Sequence, residues 1–438
     1  IMAKAGMNGR SLTNKFAKLA RKTGAGDSMA TSKFAEIKDY LSTGSIMVNL
    51  ICSGKVDGGL AVGRLAMFAG APGFGKTMLA YATMKEADKK KYTSFLWDSE
   101  YATDRETLLK LGMNLDDIIH LNEHEIGKIK EQFMSFSSSM EEGAEDKVLH
   151  VFDSAGVWTT EVGQTKEAEG NNAKDFTIFT AKKSLGSMIM RESGKRGMAS
   201  LIINHTYANL GGWGDSTAVA GGGLLYIPST VIKITSKAKL EDKAKNKVGD
   251  ICTVQSHKTR LAKGRTSVKF AIHYKYGILK YYGLMEYALA GGYVAEVKAG
   301  RSIVYKKQYE IDAIGVENAK AYKKLDIVAL YHDESFFGEI FKNSDFGAYV
   351  EEQFQYNTGT GTAPSEEEQA AITEFYEKED ASHVSNETCE EVKGELAFTE
   401  EAMGYVEESS PQKSPTQQTP GVRTSGRGAD ASFTVTEK

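Results

Sequence analysis

Cysteine and proline are both scarce: three cysteines, at positions 52, 252 and 389, and six prolines in 438 residues. The cysteines lie far apart and make no metal-ligand spacing. That excludes a disulfide framework and a cysteine-based zinc site, and it suits a reducing compartment. No apolar run approaches the roughly 20 residues of a membrane-spanning helix. The N-terminal stretch, with Lys4, Arg10, Lys15, Lys18, Arg21 and Lys22, has no apolar segment of the kind a secretion signal needs. The expectation is a cytoplasmic protein without membrane partners. No internal repeat is evident.

Charge is present in quantity and unevenly placed. The formal net charge is −4, but residues 364–408 carry −13 and residues 409–438 carry +2, which leaves +7 on the remainder. A mildly basic body with an acidic appendage suits a polyanionic partner whose access the tail competes with, or a tail that only solubilises. Beyond Tyr356 the composition turns to Thr, Gly, Ser, Pro, Gln and Glu, with four of the six prolines. Low apolar content and clustered charge predict disorder over 357–438.

The most informative stretch runs from Arg64 to Met84. A short apolar run, Leu65 to Ala69, reads as a buried strand. Gly70-Ala71-Pro72-Gly73-Phe74-Gly75-Lys76-Thr77 then fills the pattern G-x-x-x-x-G-K-[ST], and an apolar helical stretch follows. Glycines at 70, 73 and 75 let backbone N–H groups turn in around phosphate oxygens, and the next helix presents its positive end to them. Lys76 is placed to reach the β- and γ-phosphates and Thr77 to put its hydroxyl on Mg²⁺. Phe74 and Met78 complete the expected nucleotide-contacting set.

Around this motif, short β-rich runs alternate with helical ones from Ser45 to about Tyr276. Strands are expected at Leu65–Ala69, Thr93–Trp97, Val148–Phe152, Ser200–Ile203, Thr230–Thr235, Ile251–His257 and Ser267–His273. Helices are expected near Lys76–Ala87, Arg105–Leu111, Glu125–Met140 and Phe176–Arg191. The pattern predicts an α/β fold: a mostly parallel sheet covered by helices on both faces, with an antiparallel edge where the last strands follow one another. Two helices, Ser11–Arg21 and one around Ser32–Leu41, precede it as a docking arm for a neighbouring subunit or a packed extension. Residues 283–356 read as a smaller α+β unit opening with a helix at Leu284–Ala290. The implied domains are 1–44, 45–282, 283–356 and 357–438.

Two acidic strand ends stand beside the phosphate loop. Val148 to Phe152 leads into Asp153-Ser154, and Asp153 is placed to hold Mg²⁺ through water. Phe95-Leu96-Trp97-Asp98-Ser99-Glu100 ends likewise, and Glu100 is placed to take a proton from water attacking the γ-phosphate.

The order of these pieces resembles the RecA family of ATP-dependent homologous-recombination proteins, phage members most of all. Similar strings run through most of the first 290 residues: Thr31-Ser32-Lys33-Phe34, Ser42-Thr43-Gly44-Ser45, the phosphate loop, Trp97-Asp98-Ser99-Glu100, Val151-Phe152-Asp153-Ser154, Ile203-Asn204-His205-Thr206-Tyr207, Ala220-Gly221-Gly222-Gly223 and His257-Lys258-Thr259-Arg260. The resemblance implies a RecA-type ATPase core using ATP and Mg²⁺, with an oligomerising N-terminal arm. It implies Glu100 as catalytic base, His205 as the polar residue that senses the γ-phosphate, and Lys258 and Arg260 as the pair that reaches the neighbouring subunit's nucleotide. Gly163–Asp175 and Tyr207–Gly223 align with the two DNA-binding loops. Their length and polarity agree, and Trp213 is suited to stack on bases.

Departures from the family pattern matter. Asp104 matches an acidic nucleotide-site residue, but Thr107 stands where an aromatic usually stacks on adenine, leaving base selectivity looser or dependent on Tyr101. No Lys or Arg lies between Tyr207 and Gly223. Phosphate contacts are therefore assigned to backbone N–H groups, among them the Gly221, Gly222 and Gly223 run, and to Lys166, Lys174 and Lys183. The expected activity is an ATPase that forms filaments on single-stranded DNA, pairs it with duplex and exchanges strands, with single-strand-binding and loader proteins as further partners. Two rivals share the core: a hexameric DNA helicase, and a weakly hydrolysing recombination mediator.

Overall fold

The computed structural model describes residues 9–23, 26–32, 35–140, 147–171, 175–208, 217–219 and 222–356. The 357–438 tail, Lys33, Phe34, Lys174, Trp213 and Gly221 lie outside the described residues.

The chain opens with α1 (Gly9–Lys22), β1 (Tyr40–Leu41), α2 (Ile46–Ser53) and β2 (Leu60–Ala61). The core follows as β3 (Leu65–Gly70), α3 (Lys76–Lys89), β4 (Thr93–Asp98), α4 (Arg105–Lys110), β5 (Ile118–Leu121), α5 (Ile126–Ser138), β6 (Val148–Asp153), α6 (Glu161–Ala168) and α7 (Thr177–Arg196). It continues with β7 (Ala199–Ala208), β8 (Thr217–Val219), β9 (Thr230–Glu241), β10 (Lys247–Lys258), β11 (Ser267–His273) and β12 (Gly277–Ile278). The last part holds α8 (Met285–Ala290), β13 (Val294–Ala299), β14 (Ser302–Lys307), α9 (Gln308–Ile314), β15 (Tyr322–Lys323), α10 (Ile327–Tyr331), α11 (Glu339–Asn343) and α12 (Phe346–Phe354).

Among the described residues the main sheet has ten strands in the order β12-β11-β10-β9-β3-β7-β6-β4-β5, with β8 paired to β7. The strands from β9 to β5 are mutually parallel, and β10, β11 and β12 add an antiparallel edge. The pleat sends alternate residues to opposite faces. On β3, Ala66 and Phe68 join the core that contains α2 and α3, while Leu65 and Met67 join the one built by α5 and α7. Both faces are thus covered, the arrangement a parallel sheet requires. β13, β14 and β15 form a separate antiparallel sheet. In this last part Phe346, Val350 and Phe354 are buried in the same cluster as Leu50 and Ile51 of α2.

Two local expectations are corrected. No helix occupies residues 35–41: Tyr40 and Leu41 pair antiparallel with Ala61 and Leu60, and the Asp39 carboxylate accepts from the Tyr40 N–H, Lys90 and the Tyr92 hydroxyl. Those tertiary bonds override the helical spacing of the apolar residues. The first half of the expected Gly163–Asp175 loop is helical, because the Thr160 hydroxyl caps α6 by accepting the Gly163 N–H. β7 also runs further than expected, and its pairing with β8 makes a hairpin of the ends of the second loop.

Candidate functional site

The site lies at the carboxyl ends of the parallel strands. β3 stops at Gly70, the loop turns through Gly73 and Gly75 with φ of +73° and +85°, and α3 begins at Lys76. At Gly75 the positive φ is what calls for glycine, and a Cβ there would in addition stand 2.4 Å from Ile272 Cδ1 and oblige that side chain to move. The first N–H groups of α3 have no helical partner and face the loop's concavity.

The neighbouring strands deliver the polar groups. Lys76 is almost fully buried and its ammonium donates to the Ala71 carbonyl at 3.0 Å. Burial lowers its pKa, opposed by Asp153 and Glu100. The Thr77 hydroxyl donates to Asp153 Oδ2 at 2.8 Å. Burial, with the Glu100 and Asp98 carboxylates added, pushes the Asp153 carboxyl up to about 6, against the pull of Thr77 and Lys76. Asp98, paired with Asp153 in the ladder, accepts from the Ala102 and Thr103 N–H groups. The Asp153 carboxylate beside the Thr77 hydroxyl offers two oxygens to a hard divalent cation, and the glycine turn with its lysine is a cradle for phosphate. ATP with Mg²⁺ fits these residues.

Ladder register sets His205 beside Gly70. Its Nε2 lies 3.0 Å from Glu100 Oε1 and 3.0 Å from Ser154 Oγ, and the Ser154 hydroxyl donates to Glu100. Glu100 and His205 keep 32% and 22% of their side chains exposed, so the cluster is open to water and substrate. Gly156 closes one side of the imidazole, because a Cβ at that position would come within 2.0 Å of His205 Cδ2. Ser154 and Gly156 received no role from the sequence. Ser154 stands directly after Asp153, which is the one signal that pointed to it.

Other expected residues lie elsewhere. Lys258 pairs with Val231, which is level with Met67, whereas Gly70 is level with Ile234. Lys258 is therefore about 10 Å from the phosphate loop's level, toward the opposite end of the strands. There it donates to the Tyr226 carbonyl at 2.6 Å, and Arg260 follows, exposed. Asp104 caps α4, accepting from the Thr107 N–H and hydroxyl at 2.8 and 2.9 Å, so Thr107 is a capping partner there. Tyr101 is exposed, with φ of +56° and its ring edge-on to His124.

Of the residues expected to contact DNA, Lys166 lies on α6 and Lys183 on α7. Gly222, Gly223 and their successors to Tyr226 form a 3₁₀ turn against α7, with Gly223 over the Lys183 stem and Leu224 against Gly186. The Tyr207 backbone pairs with Ala218. Among the described residues no helix is long and apolar enough to cross a membrane.

The family model described as the RecA N-terminal domain matches residues 10–279. The chain is similar to the recombination and repair protein of Enterobacteria phage T4, 23% identical over 333 residues that cover 75% of this chain and 82% of that protein. It is also similar to the RecA protein of Methylobacterium sp. (strain 4-46), 26% identical over 313 residues, 70% of this chain and 81% of that one. Among solved structures, that of the RadB recombinase aligns with a TM-score of 0.40 at 19% identity, over 54% of this chain and 98% of that chain.

Proposed function

Since the chain belongs to the RecA N-terminal domain family, we propose that it is an ATP-dependent DNA strand-exchange recombinase. In this reading it assembles as a filament on single-stranded DNA, pairs that strand with homologous duplex and hydrolyses ATP in a DNA-dependent way. The observation that carries the reading is the division of the nucleotide machinery between two ends of the sheet. Lys76, Thr77, Asp153, Glu100 and His205 gather at the phosphate loop, while Lys258 and Arg260 stand too far from it to serve the same nucleotide. A second copy of the chain brings the two halves together. That geometry favours a polymer over the mediator rival.

Bound ATP and Mg²⁺ supply the phosphoryl group and the charge that neutralises it. Glu100 takes the proton of the attacking water, oriented by Ser154 and His205. Lys76 leaves the Ala71 carbonyl for the phosphates, and Thr77 and Asp153 hold the metal side. A neighbour's Lys258 and Arg260 add positive charge at the γ-phosphate, an effect on the order of 10³ to 10⁵ in rate for a comparable arginine finger. Residues 1–44 serve as the arm that joins subunits. In support, Leu12, Phe16 and Leu19 form an exposed apolar stripe at i, i+4 and i+7 on α1. Lys166, Lys183 and the Gly222–Gly223 turn carry the DNA backbone, and Lys174, Trp213 and Gly221, outside the described residues, are assigned the same role.

The test is ATP hydrolysis with and without single-stranded DNA, with negative-stain images of the products. DNA-stimulated turnover together with helical filaments of indefinite length is the expected result. Closed hexameric rings with directional unwinding would replace the recombinase by a helicase.

A further inference from the structure

The phosphate loop is pliable by composition, yet two of its carbonyls are held from outside. β9 continues past Ile234, the residue level with Gly70, as far as Glu241, and Lys237, three residues along, stands about 10 Å beyond the end of β3. From there its ammonium donates to the Gly73 carbonyl at 2.9 Å. Lys237 and Cys252 are direct partners in the β9–β10 ladder and share a face of the sheet. The Cys252 thiol donates to the next carbonyl, that of Phe74, at 3.5 Å. Asp250 accepts from Lys237 at 3.1 Å and from Lys247 at 2.9 Å, which fixes the lysine's direction.

Gly73 has nothing within 4 Å of where a Cβ would lie. The Phe74 N–H of the same peptide unit as the Gly73 carbonyl donates to the Ala71 carbonyl at 3.3 Å, so this plane is held at both ends, by that turn on one side and by Lys237 on the other. Carbonyl and N–H point opposite ways across a trans peptide. A Gly73 or Phe74 carbonyl turned inward would set oxygen against phosphate oxygen, while a carbonyl drawn outward leaves the concavity to N–H groups. The geometry points to Lys237 as a positioning residue for nucleotide phosphates: it holds the Gly73 carbonyl out of the anion site and adds positive charge behind the loop. This rests on the reading of the loop as a nucleotide site.

The experiment uses the full chain with three substitutions, Lys237→Met, Lys237→Arg and Asp250→Asn. Affinity for a fluorescent ADP, the KM and kcat for ATP with single-stranded DNA, and nucleotide-free melting are measured. Lys237→Met is expected to weaken ADP binding and raise KM about tenfold, with kcat changed far less, and Lys237→Arg to restore most of the loss. Asp250→Asn removes the lysine's counter-charge and is expected to tighten ADP binding about twofold. Nucleotide affinity of Lys237→Met within about twofold of wild type overturns the assignment. So does a loss in Asp250→Asn as large as in Lys237→Met, which marks the pair as a structural clasp. A wild-type chain that binds no nucleotide refutes the underlying reading, and the assignment with it.

Discussion

The layer that carries both acidic strand ends contains a buried histidine whose titration can be followed as stability. His150 of β6 is 1% exposed. Its ring lies 4.8 Å from Phe95 and 5.0 Å from Phe133, and its Nδ1 accepts the Trp97 indole N–H at 3.1 Å. Burial depresses its pKa from 6.5 to about 3. The unfolded chain takes up a proton below about 6.5 while the fold refuses it, so stability falls as pH drops through that window at about 1.4 kcal/mol per unit. Between pH 7.5 and pH 4.5 the loss from this one group is about 2.7 kcal/mol. His150→Gln keeps an acceptor for Trp97 but sacrifices aromatic packing, at a cost of about 1 to 2 kcal/mol at pH 7.5. Urea unfolding of both proteins, followed by tryptophan fluorescence across this range, is expected to give curves that converge and cross near the acid end. The remaining carboxylates and histidines are common to both proteins and cancel. A difference that stays constant within about 0.5 kcal/mol from pH 7.5 to 4.5 refutes the neutral, buried assignment.

Three further outcomes are expected. Glu100→Gln keeps ATP-dependent filaments, seen by negative stain, and lowers turnover by about 10² to 10⁴; equal ATPase rates for the two proteins remove Glu100 as the base. Gly156→Ala drives a methyl into the His205 ring and should depress hydrolysis by an order of magnitude or more while ADP affinity changes little; unaltered hydrolysis means the imidazole position is immaterial. Removal of 357–438, which include the segment of charge −13, should leave the melting temperature of the remainder in place and tighten duplex binding at low salt. Unchanged affinity reduces that segment to a solubiliser.

Local chemistry was legible from the chain. The phosphate loop is eight consecutive residues whose conformation follows from their own glycines, and the strands leading to Asp98, Asp153 and His205 are short apolar runs that can be recognised one at a time. The helix expected over 32–41 failed because its apolar spacing is satisfied equally by a two-residue strand once Asp39 finds Lys90 and Tyr92, about 50 residues away. α2 went unpredicted for a related reason. Its eight residues are all buried, so it has no polar face to produce a helical period.

The sequence by itself determined that a phosphate-binding loop exists, that acidic strand ends accompany it, and that the sheet is mainly parallel with an antiparallel edge, because each of these is written in near neighbours. Only the tertiary structure decided which side chains meet. Glu100, Ser154 and His205 converge because β4, β6 and β7 are adjacent in the sheet. Lys237 reaches Gly73 across 164 residues because β9 lies beside β3 and overshoots it. Lys258 is kept from the same loop because β10 runs the other way. Which strands become neighbours is fixed by burying both faces of one sheet, a property of the whole chain, and no local stretch carries it.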